Sequence, residues 1–229
     1  MAVLSSLSDF CFMEIKEGRL FVNAPDAVKG NKDAVFAEGK AQEEAGNIDF
    51  YGTEEEIVKE MQKAFSFLPA NNEDVAYSED VEDNLNRAVD GFFALKGRDA
   101  LAVLSDEGEI FEVKRAYGEE AITAFIRLNG QTVGGIATNG GNLHWKDIAK
   151  MNRFIRFCNT YSLPILTICD TVGFENCLCN EKHLEKEMAE FLSAYGNASV
   201  PMVTVVKKAI GSAGACMGSK GIGADLVFA

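Results

Sequence analysis

A glycine-rich run near the end of the chain has the residue types for binding an anion through its backbone. Residues 208–220 place Gly211, Gly214 and Gly218 among small side chains. Small residues at a turn from strand to helix let a ligand approach the main chain, and the first N–H groups of the helix can hold a developing oxyanion. Close packing of a helix on a strand is the alternative explanation for these glycines. The spacing fits neither a P-loop nor a nucleophile elbow.

A second candidate is Asp170, which lies at the end of a continuous apolar run over residues 164–170. Such a run is typical of a strand that is buried on both faces, and α/β folds bind ligands at the carboxyl ends of strands. Asp170 has the chemistry of a general base at such an edge. A polar cap on the end of the strand is the alternative.

A third candidate combines Cys177, Cys179 and His183, three donors that zinc accepts. Cys-x-Cys is not the usual spacing of a zinc site, and the sequence shows no fourth ligand. We therefore predict no metal site. His144, beside Trp145, is the only other histidine, and its spacing gives no support for a Ser-His-Asp triad.

The sequence predicts alternating helices and strands that must position these residues. Thr53 and Glu56 form a capping box, so a helix begins there and runs to about Phe67. The pair Asn129-Gly130 predicts a two-residue type I′ hairpin. Apolar spacing predicts strands at 10–13, 20–22, 110–113, 121–128, 131–137, 164–170, 202–206 and 226–228, helices at 99–104, 148–158, 184–194 and 215–220, and a glycine-rich turn at 211–214. This alternation predicts a layered α/β fold.

The overall composition excludes several classes of protein. The 229 residues carry a formal net charge of −13 and are 47% hydrophobic, which excludes a collagen or a disordered acidic tail. The acidic balance argues against a nucleic-acid binder, which needs a basic face. No apolar run reaches the roughly 18–20 residues of a membrane helix, and no basic segment opens the chain, so we expect no membrane span and no secretory signal.

The six cysteines show no disulfide spacing. Several of them, such as Cys11 and Cys169, lie in apolar runs. Buried free thiols are typical of a reducing compartment, so we expect a cytoplasmic protein.

Several segments, taken in order, resemble the motifs of one family. Residues 7–13 resemble its TDF-x-FM strand, 67–72 its YLPSNN, 153–158 its ARFVRFCD, 170–174 its DVPGF and 208–220 its KAYGGAYDVMGSK. Through their order and spacing, the chain resembles the carboxyltransferase subunits of biotin-dependent acyl-CoA carboxylases and decarboxylases. Propionyl-CoA carboxylase β chains and the α chains of methylmalonyl-CoA and glutaconyl-CoA decarboxylases are members.

The resemblance implies a ClpP/crotonase-like α/β fold, built as a ββα superhelix. It implies that residues 1–70 are the C-terminal part of an N-terminal crotonase-like domain and that 71–98 are an acidic connector. Residues 99–229 are then a C-terminal crotonase-like domain, truncated at its end. We therefore expect a middle piece of a longer two-domain protein, either cut from it or made from a split gene.

The resemblance also implies that a carboxyl group moves between biotin on a carrier protein and an acyl-CoA, a coenzyme A thioester. Ser212 and Ala213 match the backbone donors to the biotin oxygen. The residues expected to line the substrate site are Gly211, Gly214, Ala215, Gly173 and Phe174. The expected partners are a biotin carboxyl carrier protein and either further copies or a chain that supplies the missing N-terminal part. Attachment to a membrane decarboxylase complex is one setting for such an assembly.

Three departures from the family motifs leave other functions open. Ala215 replaces an aspartate that shapes acyl preference, Val172 replaces a proline, and residues 175–186 lack the family's Arg-His-Gly. A non-catalytic subunit with a scaffold or regulatory role is the first alternative. The second is an acyl-CoA hydratase or hydrolase without biotin, which needs a carboxylate base that residues 213–216 do not have.

Overall fold

The computed structural model describes residues 2–30, 34–74, 78, 80, 81, 83, 84 and 86–229, which form two compact units. The first unit consists of Met1–Ser66 and Lys114–Tyr117, and the second of Phe67–Val113 and Gly118–Ala229. The predicted acidic connector lies partly outside the described residues. Its boundaries, and those of the two predicted domains, stay predictions.

The described residues alternate between helices and strands, as predicted. The α-helices are α1 Ala2–Ser5, α2 Gly39–Glu44, α3 Glu54–Phe67, α4 Gly97–Leu104, α5 Trp145–Thr160, α6 Leu178–Asn197 and α7 Gly211–Cys216, with short 3-10 helices at Pro25–Ala27, Val35–Ala37, Phe92–Ala94 and Asp106–Gly108. The strands are β1 Phe12–Glu14, β2 Phe50–Gly52, β3 Ile110–Val113, β4 Ala121–Leu128, β5 Gln131–Thr138, β6 Asn142–Leu143, β7 Ile165–Thr171, β8 Gly173–Phe174, β9 Met202–Ala209 and β10 Leu226–Phe228. Within the described ranges, no helix combines the length and the apolar character that crossing a lipid bilayer requires.

In the first unit, β1 and β2 pair in parallel, with Phe12 opposite Phe50. Asp49 precedes β2 and accepts a bond from Lys114 Nζ at 3.2 Å, with side chains that are only 4% and 6% exposed. It also accepts the backbone N–H of Cys11 at 2.9 Å. A buried carboxylate needs such a counter-charge, because removing an ion from water costs several kcal/mol. Lys114 reaches this position because the chain returns to the first unit after β3.

The capping box predicted at the start of α3 is present. Glu56 N–H donates to Thr53 Oγ1 at 3.4 Å, and Thr53 N–H donates to Glu56 Oε2 at 2.8 Å. The strand predicted at 20–22 is wrong, because this segment is irregular and Leu20 N–H donates to the carbonyl of Ala37. A short apolar run carries a strand signal, but a strand forms only where a neighbouring strand satisfies its backbone groups.

The second unit is built on a six-stranded sheet with the order β10-β9-β7-β5-β4-β3. β5, β7, β9 and β10 run parallel, and β4 is antiparallel to both of its neighbours. β4 and β5 form the predicted hairpin, in which Asn129 and Gly130 have φ angles of 55° and 73°. Both angles lie in the left-handed region that a type I′ turn requires.

Both faces of this sheet are covered. On one face, Ile122 and Ile126 of β4 join a buried cluster with Leu101 of α4. On the other face, Phe125 of β4 packs against Phe154 of α5, with ring centroids 5.2 Å apart. Burial on both faces explains why six of the eight residues of β4 are apolar.

The glycine-rich segment folds differently from its prediction. The predicted turn at 211–214 and helix at 215–220 are wrong, because the helix α7 begins at Gly211 and ends at Cys216. Gly218 follows with a φ of 69°. A Cβ at Gly218 would lie 2.5 Å from Thr204 Oγ1, so glycine is required to end the helix in this space.

The thiols of the protein differ in their burial. Cys158 and Cys169 are buried, Cys11, Cys177 and Cys216 are half-buried, Cys179 is exposed, and all six are free. Burial raises the pKa of Cys158, and it raises the pKa of Cys169 to about 11. The prediction of buried free thiols is therefore confirmed for these two cysteines and wrong for Cys179.

Lys150 of α5 is a buried lysine whose protonation should affect stability. Its side chain is 3% exposed, and Nζ donates to the carbonyl of Gly118 at 3.4 Å. Burial lowers the pKa of Lys150 from 10.5 to about 8, against the opposing effect of Glu112 and Asp147. Between these two pH values the unfolded chain binds more protons than the folded chain, so stability should rise with pH.

We expect the free energy of unfolding to gain up to about 3 kcal/mol from this lysine between pH 8 and 10.5. Replacing Lys150 by methionine should remove that gain, which urea unfolding at several pH values would measure. Lys186→Met, at a site that is 78% exposed, is the control. A Lys150→Met variant with the pH dependence of the parent protein would contradict this assignment.

Candidate active site

The carboxyl ends of β5, β7 and β9 meet at one edge of the sheet in the second unit. α7 begins two residues after β9 and contacts β7 as well as β8. The structure therefore brings Gly173 and Phe174 next to the helix that holds Ser212 and Ala213. This edge is where parallel α/β sheets bind their ligands.

The first turn of α7 has unsatisfied backbone donors. Ser212 and Ala213 are its second and third residues, so their N–H groups have no partner one turn earlier in the helix. The residue before the helix is Ile210, whose side chain accepts no hydrogen bond. By contrast, α5 and α6 are capped by the side chains of His144 and Cys177. The beginning of α7 can therefore hold an anionic oxygen.

The glycines of α7 have two different roles. Gly211 has a φ of 65°, and a Cβ added to it would meet nothing within 4 Å. A Cβ on Gly214 would lie 2.7 Å from the Cβ of Ala209, at the end of β9. Gly214 therefore allows close packing of helix on strand, whereas Gly211 leaves open space beside the donors. Ser212 and Ala215 are also exposed, and Ala213 is buried.

The turn between β7 and β8 is held by Thr171. Its hydroxyl donates to the carbonyl of Gly141 at 3.0 Å and accepts the N–H of Gly173 at 3.3 Å. Gly173 has a φ of 136°, which side chains rarely allow. Phe174 follows and is half-buried. Val172 replaces the proline of the family motif, but the turn is still held by hydrogen bonds. The Val172 N–H donates to the carbonyl of Gly141 at 3.1 Å.

Asp170 lies at the same edge, inside a charged group that the sequence did not reveal. Its side chain is next to Gly140, where a Cβ would lie 3.3 Å from Asp170 Oδ1 and 2.9 Å from Lys96 Nζ. Glu120 accepts the N–H of Gly141, and burial raises the pKa of its carboxyl. Lys96, Glu120 and Asp170 thus surround the turn that follows β5. Asp170 is 8% exposed, and its backbone N–H and carbonyl both bond to the hydroxyl of Thr138.

Sequence analysis missed Glu120 and Lys96, and only Glu120 could have been located from a sequence pattern. Glu120 directly precedes β4, and the first residue of an antiparallel strand lies beside the end of its neighbour, so the predicted hairpin could have located it. Lys96 comes from the segment before α4, far away in the chain. No local pattern connects it to this edge.

The three residues weighed as zinc donors do not form one group, and the sequence prediction of no metal site at Cys177, Cys179 and His183 stays a prediction. Cys177 lies within 4.8 Å of ligand atoms on His144 and Glu175, and that group contains neither Cys179 nor His183. Cys179 Sγ instead accepts the indole N–H of Trp145 at 3.1 Å, and the His183 ring lies 4.9 Å from the Trp145 ring.

Comparison with known proteins identifies the family. Residues 2–229 match the family described as the carboxyl transferase domain. The chain belongs to the carboxyl transferase family. The resemblance drawn from the sequence motifs is therefore confirmed.

Two curated relatives show what share of a longer family member this carboxyl transferase domain matches. It is 32% identical to the propionyl-CoA carboxylase beta chain of Roseobacter denitrificans, over 98% of this chain and 48% of that one. It is 31% identical to the methylmalonyl-CoA carboxyltransferase 12S subunit of Propionibacterium freudenreichii, over 98% and 47%. The chain thus spans about half the length of the curated relatives it matches.

Solved structures confirm the predicted crotonase-like α/β fold of this carboxyl transferase domain. It superposes on one chain of the transcarboxylase 12S crystal structure with hydrolysed methylmalonyl-coenzyme A bound, with a TM-score of 0.86 and 28% identity. That match covers 97% of this chain and 47% of the other. A single-chain, multi-domain long-chain acyl-CoA carboxylase has a similar fold, with a TM-score of 0.75 at 18% identity over 99% of this chain and 25% of that one.

Proposed function

We propose that this chain supplies the biotin-side half of a carboxyltransferase site. In this function, a carboxyl group moves between biotin on a carrier protein and an acyl-CoA. The observation that carries the proposal is the uncapped first turn of α7, which lies against Gly173 and Phe174 at the carboxyl edge of the parallel strands. A second region, on this protein or on a partner chain, supplies the acyl-CoA side.

The residues at this edge fit biotin. When bound, biotin supplies the nitrogen that carries the carboxyl group and a neighbouring ureido oxygen that becomes more negative as the group leaves. The N–H groups of Ser212 and Ala213 would donate to that oxygen. One such donor contributes about 3–4 kcal/mol to a transition state when it is aimed at developing charge. Gly211 and Ala215 leave the approach open.

Ala215 bears on the choice of acyl group. In the family motif this position often carries an aspartate, whereas here it is a small, exposed and uncharged residue. We propose that Ala215 leaves room beside the reacting carbons for an acyl group other than the small ones that the aspartate accompanies.

Free biotin provides a direct test of this function. A native preparation that contains this chain should decarboxylate malonyl-CoA or methylmalonyl-CoA when free biotin is added. Turnover that depends on biotin supports the proposal, and native mass spectrometry should then detect a chain or segment with the acyl-CoA side. Absence of turnover from a preparation that contains both halves, with these two substrates and with carboxylated CoA thioesters of longer acyl chains, would contradict it.

A non-catalytic subunit is the second candidate, since residues 175–186 lack the Arg-His-Gly of the family motif. The same assay separates the two functions, because a scaffold gives no turnover with any acyl-CoA. A scaffold would still be found in an assembly by native mass spectrometry. Release of free coenzyme A in the absence of biotin would instead indicate an acyl-CoA hydrolase.

A further inference from the structure

Three metal-binding side chains meet where the loops before α5 and α6 come together. They are an imidazole on His144, a carboxylate on Glu175 and a thiol on Cys177, and their ligand atoms all lie within 4.8 Å of one another. Imidazole, carboxylate and thiolate are the three side-chain types that bind zinc in proteins. None of these side chains belongs to the donor pair in α7.

A buried amide holds the two loops together. Asn180 is 1% exposed, and its Nδ2 donates to the carbonyls of Leu143 at 3.2 Å and Glu175 at 2.8 Å. Its Oδ1 accepts the N–H of Trp145 at 2.7 Å. One side chain therefore fixes the backbone on either side of His144 and at Glu175. A metal site requires this kind of support behind its ligands.

Further backbone hydrogen bonds position the three metal-binding residues themselves. Glu175 N–H donates to the carbonyl of Leu143 at 2.9 Å, and Cys177 N–H donates to the carbonyl of Glu175 at 3.1 Å. His144 N–H donates to Asp147 Oδ2 at 2.7 Å. The three ligands are thus attached to one hydrogen-bonded frame, and their convergence follows from that frame.

We propose that His144, Glu175 and Cys177 bind one divalent zinc-like cation, with a fourth position open to water or to a ligand oxygen. The thiolate and the carboxylate carry the negative charge that offsets the cation and the positive ends of α5 and α6. The His144 ring makes only a weak contact here, because the Lys146 N–H donates to Nδ1 over 3.4 Å. The Asn180 N–H, 3.4 Å from Cys177 Sγ, can keep its bond to a metal-bound sulfur.

The cation would lie beside the turn that carries Gly173 and Phe174, because Glu175 is the next residue. Binding would attach this turn to the start of α5 through His144. The stretch from residue 175 to 186 is also where the chain departs from its family motif. The cation would therefore stabilise a segment that lacks the sequence found there in relatives, whether or not biotin binds nearby.

Cobalt(II) gives a test that does not depend on activity. The whole chain, reduced and freed of metal by a chelator, would be titrated with Co²⁺ and followed by its absorption spectrum. We expect one equivalent to bind, with a sulfur-to-cobalt charge-transfer band and the strong visible bands of a four-coordinate ion. Zn²⁺ should displace the cobalt and abolish both.

The ligand variants can be chosen so that they preserve the helix caps. Cys177→Ser and His144→Asn keep side chains that are good caps, so both variants should fold with the parent circular dichroism. Cys177→Ser should lose the charge-transfer band, and His144→Asn and Glu175→Gln should each weaken Co²⁺ binding at least about tenfold.

Cys179→Ser is the matched control, because it removes an exposed thiol two residues from Cys177 and should leave the spectrum unchanged. A charge-transfer band that survives in Cys177→Ser would overturn the proposal. The same holds for a band that is lost in Cys179→Ser, or for a parent chain that binds no Co²⁺.

Discussion

Replacing Ser212 by proline is expected to lower carboxyl transfer by about 10²–10³-fold, because it deletes one backbone N–H from the first turn of α7. Proline is tolerated in the first turn of a helix, where the N–H has no partner within the helix and a fixed φ is already suitable. The helix should keep its shape while the oxygen that it holds loses one hydrogen bond. The measurement is kcat/KM for decarboxylation, with free biotin, of the carboxylated acyl-CoA that the parent protein turns over best.

Two variants separate this effect from others. Glu55→Pro places the same residue at the second position of α3, so it controls for the general effect of proline in a first turn. Ser212→Ala removes the hydroxyl but keeps the N–H, and it should lose far less activity than Ser212→Pro. Equal losses in Ser212→Ala and Ser212→Pro would show that the hydroxyl is responsible, and the assignment of the backbone donor would then be wrong.

Replacing Phe125 by alanine is expected to destabilise the protein by about 3–5 kcal/mol. Phe125 is fully buried, and its ring lies 5.2 Å from Phe154, 5.5 Å from Phe157 and 6.4 Å from Phe111. Gly134 stands opposite it on β5, and a Cβ there would already lie 2.4 Å from Cys158 Sγ. The surrounding side chains and backbone therefore cannot easily fill the cavity.

Urea unfolding, followed by circular dichroism, would measure this loss. Phe93→Ala is the control, because Phe93 is 72% exposed and should contribute little to stability. A loss below about 1 kcal/mol at Phe125 would mean that the aromatic cluster relaxes into the space, contrary to the rigid packing inferred from the structure.

The parts of the fold that the sequence predicted are those with local causes. Asn129-Gly130 specifies its hairpin because both residues accept a positive φ, and Thr53 with Glu56 starts α3 through bonds that span three residues. The beginning of α7 could not be predicted in this way. Its first turn follows Ile210, an apolar residue without a capping group, so nothing in the residue types marks the boundary.

The residues expected at the candidate site came from the resemblance to the family, and their roles stay predictions. The family motifs placed Gly173, Phe174 and the α7 residues, and the structure brings these segments together. The convergence of Lys96 with Glu120 and Asp170 depends on the pairing of strands that are distant in the chain. The group formed by His144 and Cys177 depends on two helix starts that meet through Asn180, and such a meeting has no local signal.

The first unit is built from two separate stretches of the sequence, because the chain returns to it after β3. An expression fragment that stops at residue 70 would keep Asp49 and lose Lys114, the cation that neutralises it. An unpaired buried charge of this kind costs about 3–5 kcal/mol, a large part of what a small domain has available. Fragment boundaries for this protein are therefore better placed beyond Tyr117, so that the lysine is translated together with the carboxylate it pairs with.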